Sequence, residues 1–296
     1  MNDETYMREL ITNPEKITSL NFANISLILR KLNKILENEN LKLEFKTSNP
    51  DDEIFIIGDI HGNLHSLKKL HAMIIESNPK YVLFLGDLVD RGPYQLECLI
   101  YVCCLKLLEP ERYFILKGNH ETLEMNETYG FSQEFLQKFK DADKFKEILS
   151  IYDVLPICAT INDQILCLHG GIPTHINALK DMKNVPTTKI NTKIRILIYQ
   201  IMWNDPKEKL EGFKESFRGP DIFFFGNDVF HKFMEANNLN FLIRAHECFP
   251  EGYKWFFNDH LLSIFSSDNY RGSGYPNPGS YAIVKNNVVI PKKFTT

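Results

Sequence analysis

The sequence predicts an α/β (α+β) fold built as a central β-sandwich of two mixed sheets flanked by helices. Three observations predict it. Short apolar runs at residues 54–57, 82–85 and 113–116 alternate with stretches whose apolar residues recur at helical spacing. From Ile157 onward the strand-like runs become shorter and closer together. Those three runs, and two more at residues 165–168 and 241–244, each end in polar residues. The end of a buried strand is where α/β proteins place their chemistry.

Taken in order, residues 1–50 are expected to be an N-terminal helical lead-in packed on the rest. Ile25, Ile28, Leu29, Leu32, Ile35 and Leu36 share one helical face. Residues 54–57 suit a central parallel strand. Leu64, Leu67, Leu70, His71 and Ile74 make the next helical stripe. Residues 82–85 form the second strand. Pro93 then opens a helix carrying Leu96, Leu99, Ile100, Cys103 and Leu107. Residues 113–116 form the third strand. The βαβαβ order predicts a parallel half with right-handed crossovers.

Residues 122–150 read as helix, anchored by Phe135, Phe139, Phe145 and Leu149. Residues 176–200 read as a polar loop leading into a helix that ends near Asn204-Asp205-Pro206. Phe223-Phe224-Phe225 and Trp203 are expected in the core. Residues 253–257 with 261–265, and 281–284 with 288–290, flank Asn/Asp turns and predict antiparallel hairpins. No linker, repeat or low-complexity tract divides the chain, so residues 1–296 are expected to form one domain.

Composition narrows the function classes. The 44% hydrophobic and 24% charged content is ordinary for a globular protein. A net charge of -4 argues against a broad basic face for nucleic acid. No apolar run is long enough to span a bilayer, and the polar, acidic N-terminus does not read as a secretory signal. The six cysteines form no C-x-x-C pair and lie mostly among apolar residues. Free thiols in a reducing compartment, cytoplasmic or nuclear, are expected.

The strand ends carry the chemistry. They read Gly58-Asp59-Ile60-His61-Gly62, Gly86-Asp87 with Asp90-Arg91, Gly118-Asn119-His120-Glu121, His169-Gly170-Gly171 and Ala245-His246-Glu247. Asp, His, Asp, Asn, His and His describe a site for two metal ions. If the chain stays extended, Asp59 and His61 leave the same face and grip one ion. Asp87 has two carboxylate oxygens and could bridge two ions. Asn119, His169 and His246 would complete the ligand set of the second ion. Carboxylate, amide and imidazole without thiolate suit Mn, Fe or Zn better than Ca or Mg.

Two ions roughly 3.5–4 Å apart generate hydroxide at neutral pH and clamp an in-line displacement at phosphorus. His120 is then free to protonate the leaving alkoxide, with Asp90 as its orienting partner. Arg91 and Arg218 can fork onto phosphate oxygens.

GDIHG, GDLVDRG, GNHE, HGG, RAHE and SSDNYRG occur in an order that resembles the phosphoprotein phosphatase family of serine/threonine phosphatases. The likeness runs from about residue 22 to 284. Between the motifs, LECLIYVCCLKLLEPERYFILKGNHE and MWNDP look like the eukaryotic type 1/2A/calcineurin branch. The resemblance implies the metallophosphoesterase fold, its βαβαβ half carrying a dinuclear metal site. It implies Asp59, His61 and Asp87 around one ion, and Asp87, Asn119, His169 and His246 around the other. His120 with Asp90 would be the acid pair and Arg91 and Arg218 the phosphate clamps. Asn119 and Tyr270 would meet the substrate.

The implied activity is hydrolysis of phosphoserine and phosphothreonine in proteins by a metal-bridging hydroxide. A related reading is a hydrolase of dinucleoside polyphosphates or other small phosphoesters. Phosphoprotein substrates and regulatory subunits are the implied partners. This chain has Ser267-Asp268 where the family usually has Ala-Pro, Arg271 where it often has Cys or Phe, and Lys117 for the usual arginine. The loop around Arg271 contacts substrates and toxin inhibitors in the family, so the resemblance leaves toxin sensitivity open. A basic Arg271 predicts a preference for acidic residues beside the phosphate.

Overall fold

The computed structural model describes residues 3–272, 274 and 276–296. Two sheets face each other. One has five strands in the order Val288–Phe294, Gly279–Lys285, Glu53–Ile57, Tyr81–Phe84 and Tyr113–Ile115. The other has six, in the order Lys42–Phe45, Cys158–Ile161, Ile165–Leu168, Phe241–Arg244, Leu261–Ile264 and Tyr253–Phe256.

Strand alternation divides the core into three layers. Ile54, Ile56, Leu83 and Leu85 pack inward against Cys167, Ile243, Leu262 and Ile264 of the facing sheet. Phe55, Ile57, Val82 and Phe84 point outward and are covered by the helices Phe22–Leu36, Leu64–Ser77 and Gln95–Leu108. On the far side, Leu166, Leu168 and Leu242 pack beneath the helices Thr192–Trp203 and Asn227–Ala236. The sandwich with helices outside is therefore present. Glu53–Ile57, Tyr81–Phe84 and Tyr113–Ile115 pair in parallel as the βαβαβ pattern predicts.

Both predicted hairpins form. The second turn places Asn286 at φ 49° and Asn287 at φ 60°, the doubly left-handed geometry of a tight hairpin. Its strands extend further than the apolar run, and Pro291 is tolerated because Val288–Phe294 is an edge strand.

Four expectations need correction. The 1–50 lead-in is not all helical: Lys42–Phe45 is an edge strand paired in parallel with Cys158–Ile161, burying Leu43 and Phe45 between the sheets. Pro93 does not open its helix, which begins at Gln95. The Tyr94 N–H is held by the Gly62 carbonyl, and Glu134 caps the new N-terminus through the Leu96 N–H. Of Phe223-Phe224-Phe225 only Phe225 is fully buried, because these residues form the middle of a small third sheet with Asp205–Pro206 and Phe213–Glu215. Trp203 is half-buried and sets its ring edge-on to His246 at 5.7 Å.

Candidate active site

The five polar strand ends meet at one edge of the sandwich, and backbone hydrogen bonds lock them there. The Ile60 and His61 N–H groups donate to the Asp87 carbonyl at 3.0 and 2.9 Å. The His120 N–H donates to Asp87 Oδ1 at 2.9 Å, and the His246 N–H to Asp59 Oδ1 at 2.9 Å. A Cβ on Gly86 would lie 2.3 Å from the Gly118 nitrogen, so only glycine lets these two strand ends approach.

The turns are sharper than extended strands. His61, Asp87, Asp90, Arg91 and His246 all have positive φ, between 47° and 72°. Each such non-glycine residue costs about 1–2 kcal/mol. The cost is concentrated where side chains must be aimed. The extended reading of Asp59 and His61 is thus corrected. They converge because His61 turns left-handed, not because alternate strand residues share a face.

The result is a buried cluster centred on Asp87. His61 Nε2 lies 3.6 Å from both Asp59 Oδ2 and Asp87 Oδ2. His169 Nε2 lies 3.4 Å from Asp87 Oδ2, 2.9 Å from Asn119 Oδ1 and 3.2 Å from His246 Nδ1. Ligand atoms about 2.1 Å from a common ion stand roughly 3–3.5 Å apart, so these separations suit shared cations. Among the described residues, His61–Asp87–His120 and Asp87–His169–His246 are compact enough to hold an ion, and Asp87 belongs to both.

Two further observations fit a metal. Asp59 Oδ2 is buried and has no hydrogen-bond partner. His61 Nδ1–H donates to the Val89 carbonyl at 2.9 Å and His169 Nδ1–H to the Leu85 carbonyl at 3.0 Å. A carbonyl can only accept, so both Nε2 lone pairs face the cluster.

Electrostatics agree. Burial alone would lower the His61 pKa, but the Asp59 and Asp87 carboxylates beside it push it up to about 9. In the metal-free protein a proton thus stands where a cation would. His246 is held well below the usual histidine range by burial and by Arg218, His169 and Arg244 nearby, which keeps it a neutral donor.

The two residues read from sequence as an acid pair stand side by side. His120 Nδ1 sits 2.7 Å from Asp90 Oδ2. Arg91 is exposed and lies over the Tyr129 ring at 4.0 Å, and that ring is 5.1 Å from His120. Arg218 lies on the other side, its Nε–H donating to Asp205 Oδ2 at 2.6 Å, with Asp205 Oδ1 3.9 Å from His246 Nε2. Tyr270 is stacked on the His61 ring at 5.2 Å and 20°. Burial pushes the Tyr270 hydroxyl up, so it stays a neutral phenol.

Three supporting residues were not assigned from sequence. Glu121 is buried and accepts the N–H groups of Asp87, Leu88 and Gly118 at 2.8–3.0 Å. Burial, reinforced by the Asp87 charge, pushes it up to about 7. Asp205 holds Arg218 and, through Oδ1, the fully buried Arg244 at 2.8 Å. Both lay inside recognised motifs, which was a usable signal. Asn126 donates to Asp90 Oδ2 at 2.9 Å and to the His120 carbonyl at 2.8 Å. No sequence pattern marked it, because its partners converge only through the turn into the helix Leu123–Tyr129.

Comparison with known proteins shows the family. The model of the calcineurin-like phosphoesterase family matches residues 53–250. The serine/threonine-protein phosphatase 4 catalytic subunit of Kluyveromyces lactis is 34% identical over 238 residues, 80% of this chain and 76% of that protein. A Saccharomyces cerevisiae serine/threonine phosphatase with similarity to human phosphatase PP5 superposes with a TM-score of 0.81 at 27% identity, covering 94% of this chain and 90% of that one. The cold-active protein-tyrosine phosphatase of a Shewanella species shares the fold at a TM-score of 0.59 and 17% identity, covering 88% of this chain and 84% of that one.

A two-sheet sandwich with carboxylates and imidazoles clustered at its strand ends defines a metal-dependent phosphoesterase. Within that class, the chain belongs to the phosphoprotein phosphatase family of serine/threonine phosphatases. It is a hydrolase of phosphoric esters, and its family implies divalent metal ions.

Proposed function

We propose that this chain removes phosphate from phosphoserine and phosphothreonine in proteins, using two divalent ions. Asp59, His61 and Asp87 would hold one ion; Asp87, Asn119, His169 and His246 would hold the other. The observation that carries it is the position of Asp87, whose Oδ2 faces both His61 and His169 while its Oδ1 is occupied by the His120 N–H. When bound, such ions supply a hydroxide nucleophile at neutral pH and neutralise phosphate charge.

The residues of the chain do the rest. Asp90 fixes His120 through Nδ1, which leaves Nε2 to give its proton to the leaving alkoxide. Arg91 on the His120 side and Arg218 on the His246 side meet the phosphate oxygens from two directions. Asn119 orients within the cluster, and Tyr270 walls the mouth. Manganese is our first choice of metal, and iron or zinc would suit the same thiolate-free donor set.

The Kluyveromyces relative carries the name of a catalytic subunit, which supports a regulatory partner here as well. Six free cysteines, five of them buried, support a reducing, cytoplasmic setting.

Manganese-loaded protein should hydrolyse p-nitrophenyl phosphate and a phosphoserine peptide, and should act on diadenosine tetraphosphate far more slowly. A dinucleotide turned over faster than the peptide would overturn the protein-substrate reading.

Arg271 refines the substrate. It is exposed beside Tyr270, and its guanidinium donates to the Cys248 carbonyl at 2.7 Å, which fixes its position at the mouth. Arg271→Ala is expected to lower the preference for acidic over basic flanking residues about threefold to tenfold at low salt, an effect that screening weakens at high salt. An unchanged ratio of kcat/KM values between acidic and basic phosphopeptides would remove Arg271 from substrate choice.

A further inference from the structure

Asp268 is a buried carboxylate with no cationic hydrogen-bond partner among the described residues. It is 2% exposed, and the hydrogen bonds its carboxylate accepts from them come from neutral donors. Oδ1 accepts from Ser66 Oγ at 2.8 Å and Asn63 Nδ2 at 3.3 Å. Oδ2 accepts from the Thr296 N–H and Oγ1, both at 2.8 Å. The Asp268 backbone joins in: its N–H donates to Ser66 Oγ at 3.1 Å and its carbonyl accepts from Asn63 Nδ2 at 3.0 Å. Burial pushes this carboxyl up, yet the Thr296, Ser66 and Asn63 donors hold it below its ordinary value, so it is ionised.

The partners sit on both sides of the mouth. Asn63 follows His61 by two residues, and its Oδ1 also caps the helix Leu64–Ser77 through the Ser66 N–H. Tyr270 follows Asp268 by two residues and lies between His61, at 5.2 Å and 20°, and Phe265, at 4.8 Å and 60°. One carboxylate thus bolts the Tyr270 loop onto the turn that presents His61, and ties both to the chain beyond the edge strand Val288–Phe294. Burying an ionised group on neutral donors alone adds little net stability. Its multiple directional bonds fix geometry instead.

We propose that Asp268 is a positioning residue for substrate binding: it holds the Tyr270 ring in register with His61, so that the mouth is pre-formed for a phosphopeptide. Its substrate arm rests on the protein-phosphatase reading above. Pre-forming the wall removes an ordering cost from binding, so its loss falls on KM more than on kcat.

The test compares Asp268→Ala, Tyr270→Ala, the double variant and the milder Ser66→Ala with the wild type, all loaded with manganese. Asp268→Ala should raise KM for a phosphoserine peptide about tenfold with kcat within about twofold, and Ser66→Ala should do so to a smaller degree. The double variant should be no worse than Tyr270→Ala, since one residue acts through the other. Additive effects, or an equal fall in kcat for peptide and p-nitrophenyl phosphate, would overturn the proposal.

A second readout does not depend on activity. In zinc-loaded protein, which is diamagnetic, carrying ring-labelled tyrosine, the Tyr270 resonance, identified by its loss in Tyr270→Ala, should be displaced by the His61 ring. It should move to the free-tyrosine position in Asp268→Ala, and part of the way in Ser66→Ala if the alanine variant at 268 does not fold. A Tyr270 resonance that stays in place would overturn the proposal. If wild type proves inactive on the peptide, the functional reading fails, while this resonance still decides whether Asp268 positions Tyr270.

Discussion

Asp87→Asn is expected to abolish stable binding of the metal pair and to lower kcat about a thousandfold or more, because charge neutralisation and nucleophile generation both depend on the ions. Asp87 is the one residue common to the two compact ligand groups found among the described residues. Asparagine keeps an oxygen for the His120 N–H, which Asp87 Oδ1 now accepts. It removes the charge at Oδ2, the atom that faces His61 and His169.

The metal-free fold should lose some stability at neutral pH. Burial alone would raise the Asp87 carboxyl, but His169, His120 and His61 hold it well below the usual carboxylate range, so its charge stabilises the folded state despite the repulsion with Glu121. The melting temperature of the metal-free variant should therefore lie below that of the metal-free wild type. Added manganese should raise that of the wild type alone, since a ligand stabilises only the state that binds it. Elemental analysis together with melts with and without manganese checks this. A variant that retained two ions per chain would remove Asp87 from the bridge.

His120→Asn should separate chemistry from metal binding. The imidazole is held through Nδ1 by Asp90, itself fixed by the Asn126 amide and the Phe131 N–H. Loss of a positioned general acid lowers kcat by about 10²–10⁴. The fall should be largest with phosphoserine, whose alkoxide needs the proton. It should be smaller with p-nitrophenyl phosphate, whose phenolate leaves unaided. Metal content should stay at the wild-type level. That last point is a real discrimination, because His61, Asp87 and His120 also stand close enough to share an ion. If His120→Asn lost an ion, His120 would be a ligand and the acid would have to be sought elsewhere.

Much of this molecule can be read from its sequence, because the strongest signals are local. The runs 54–57, 82–85 and 113–116 announce buried parallel strands through composition and length, and all three form. Asp59, His61, Asp87, Asn119, His120, His169 and His246 stand out because polar residues at the end of an apolar run, most of them beside glycine, are locally anomalous. The folded chain brings them together.

What sequence missed are residues whose partners lie far along the chain. Asn126 reaches back to Asp90 across 36 positions, and Asp268 meets Ser66 across 202. The strand Lys42–Phe45 was hidden because it is short and finds its partner, Cys158–Ile161, only in the folded sheet.

Sequence by itself determined the layering, the donor set and the order in which the donors arrive, since hydrophobic period and residue chemistry are properties of short stretches. Tertiary structure alone decided how each donor is aimed. The left-handed turns at His61, Asp87 and His246, the carbonyls that fix the two imidazoles, and the carboxylate behind Tyr270 all depend on groups that become neighbours only once the two sheets have closed.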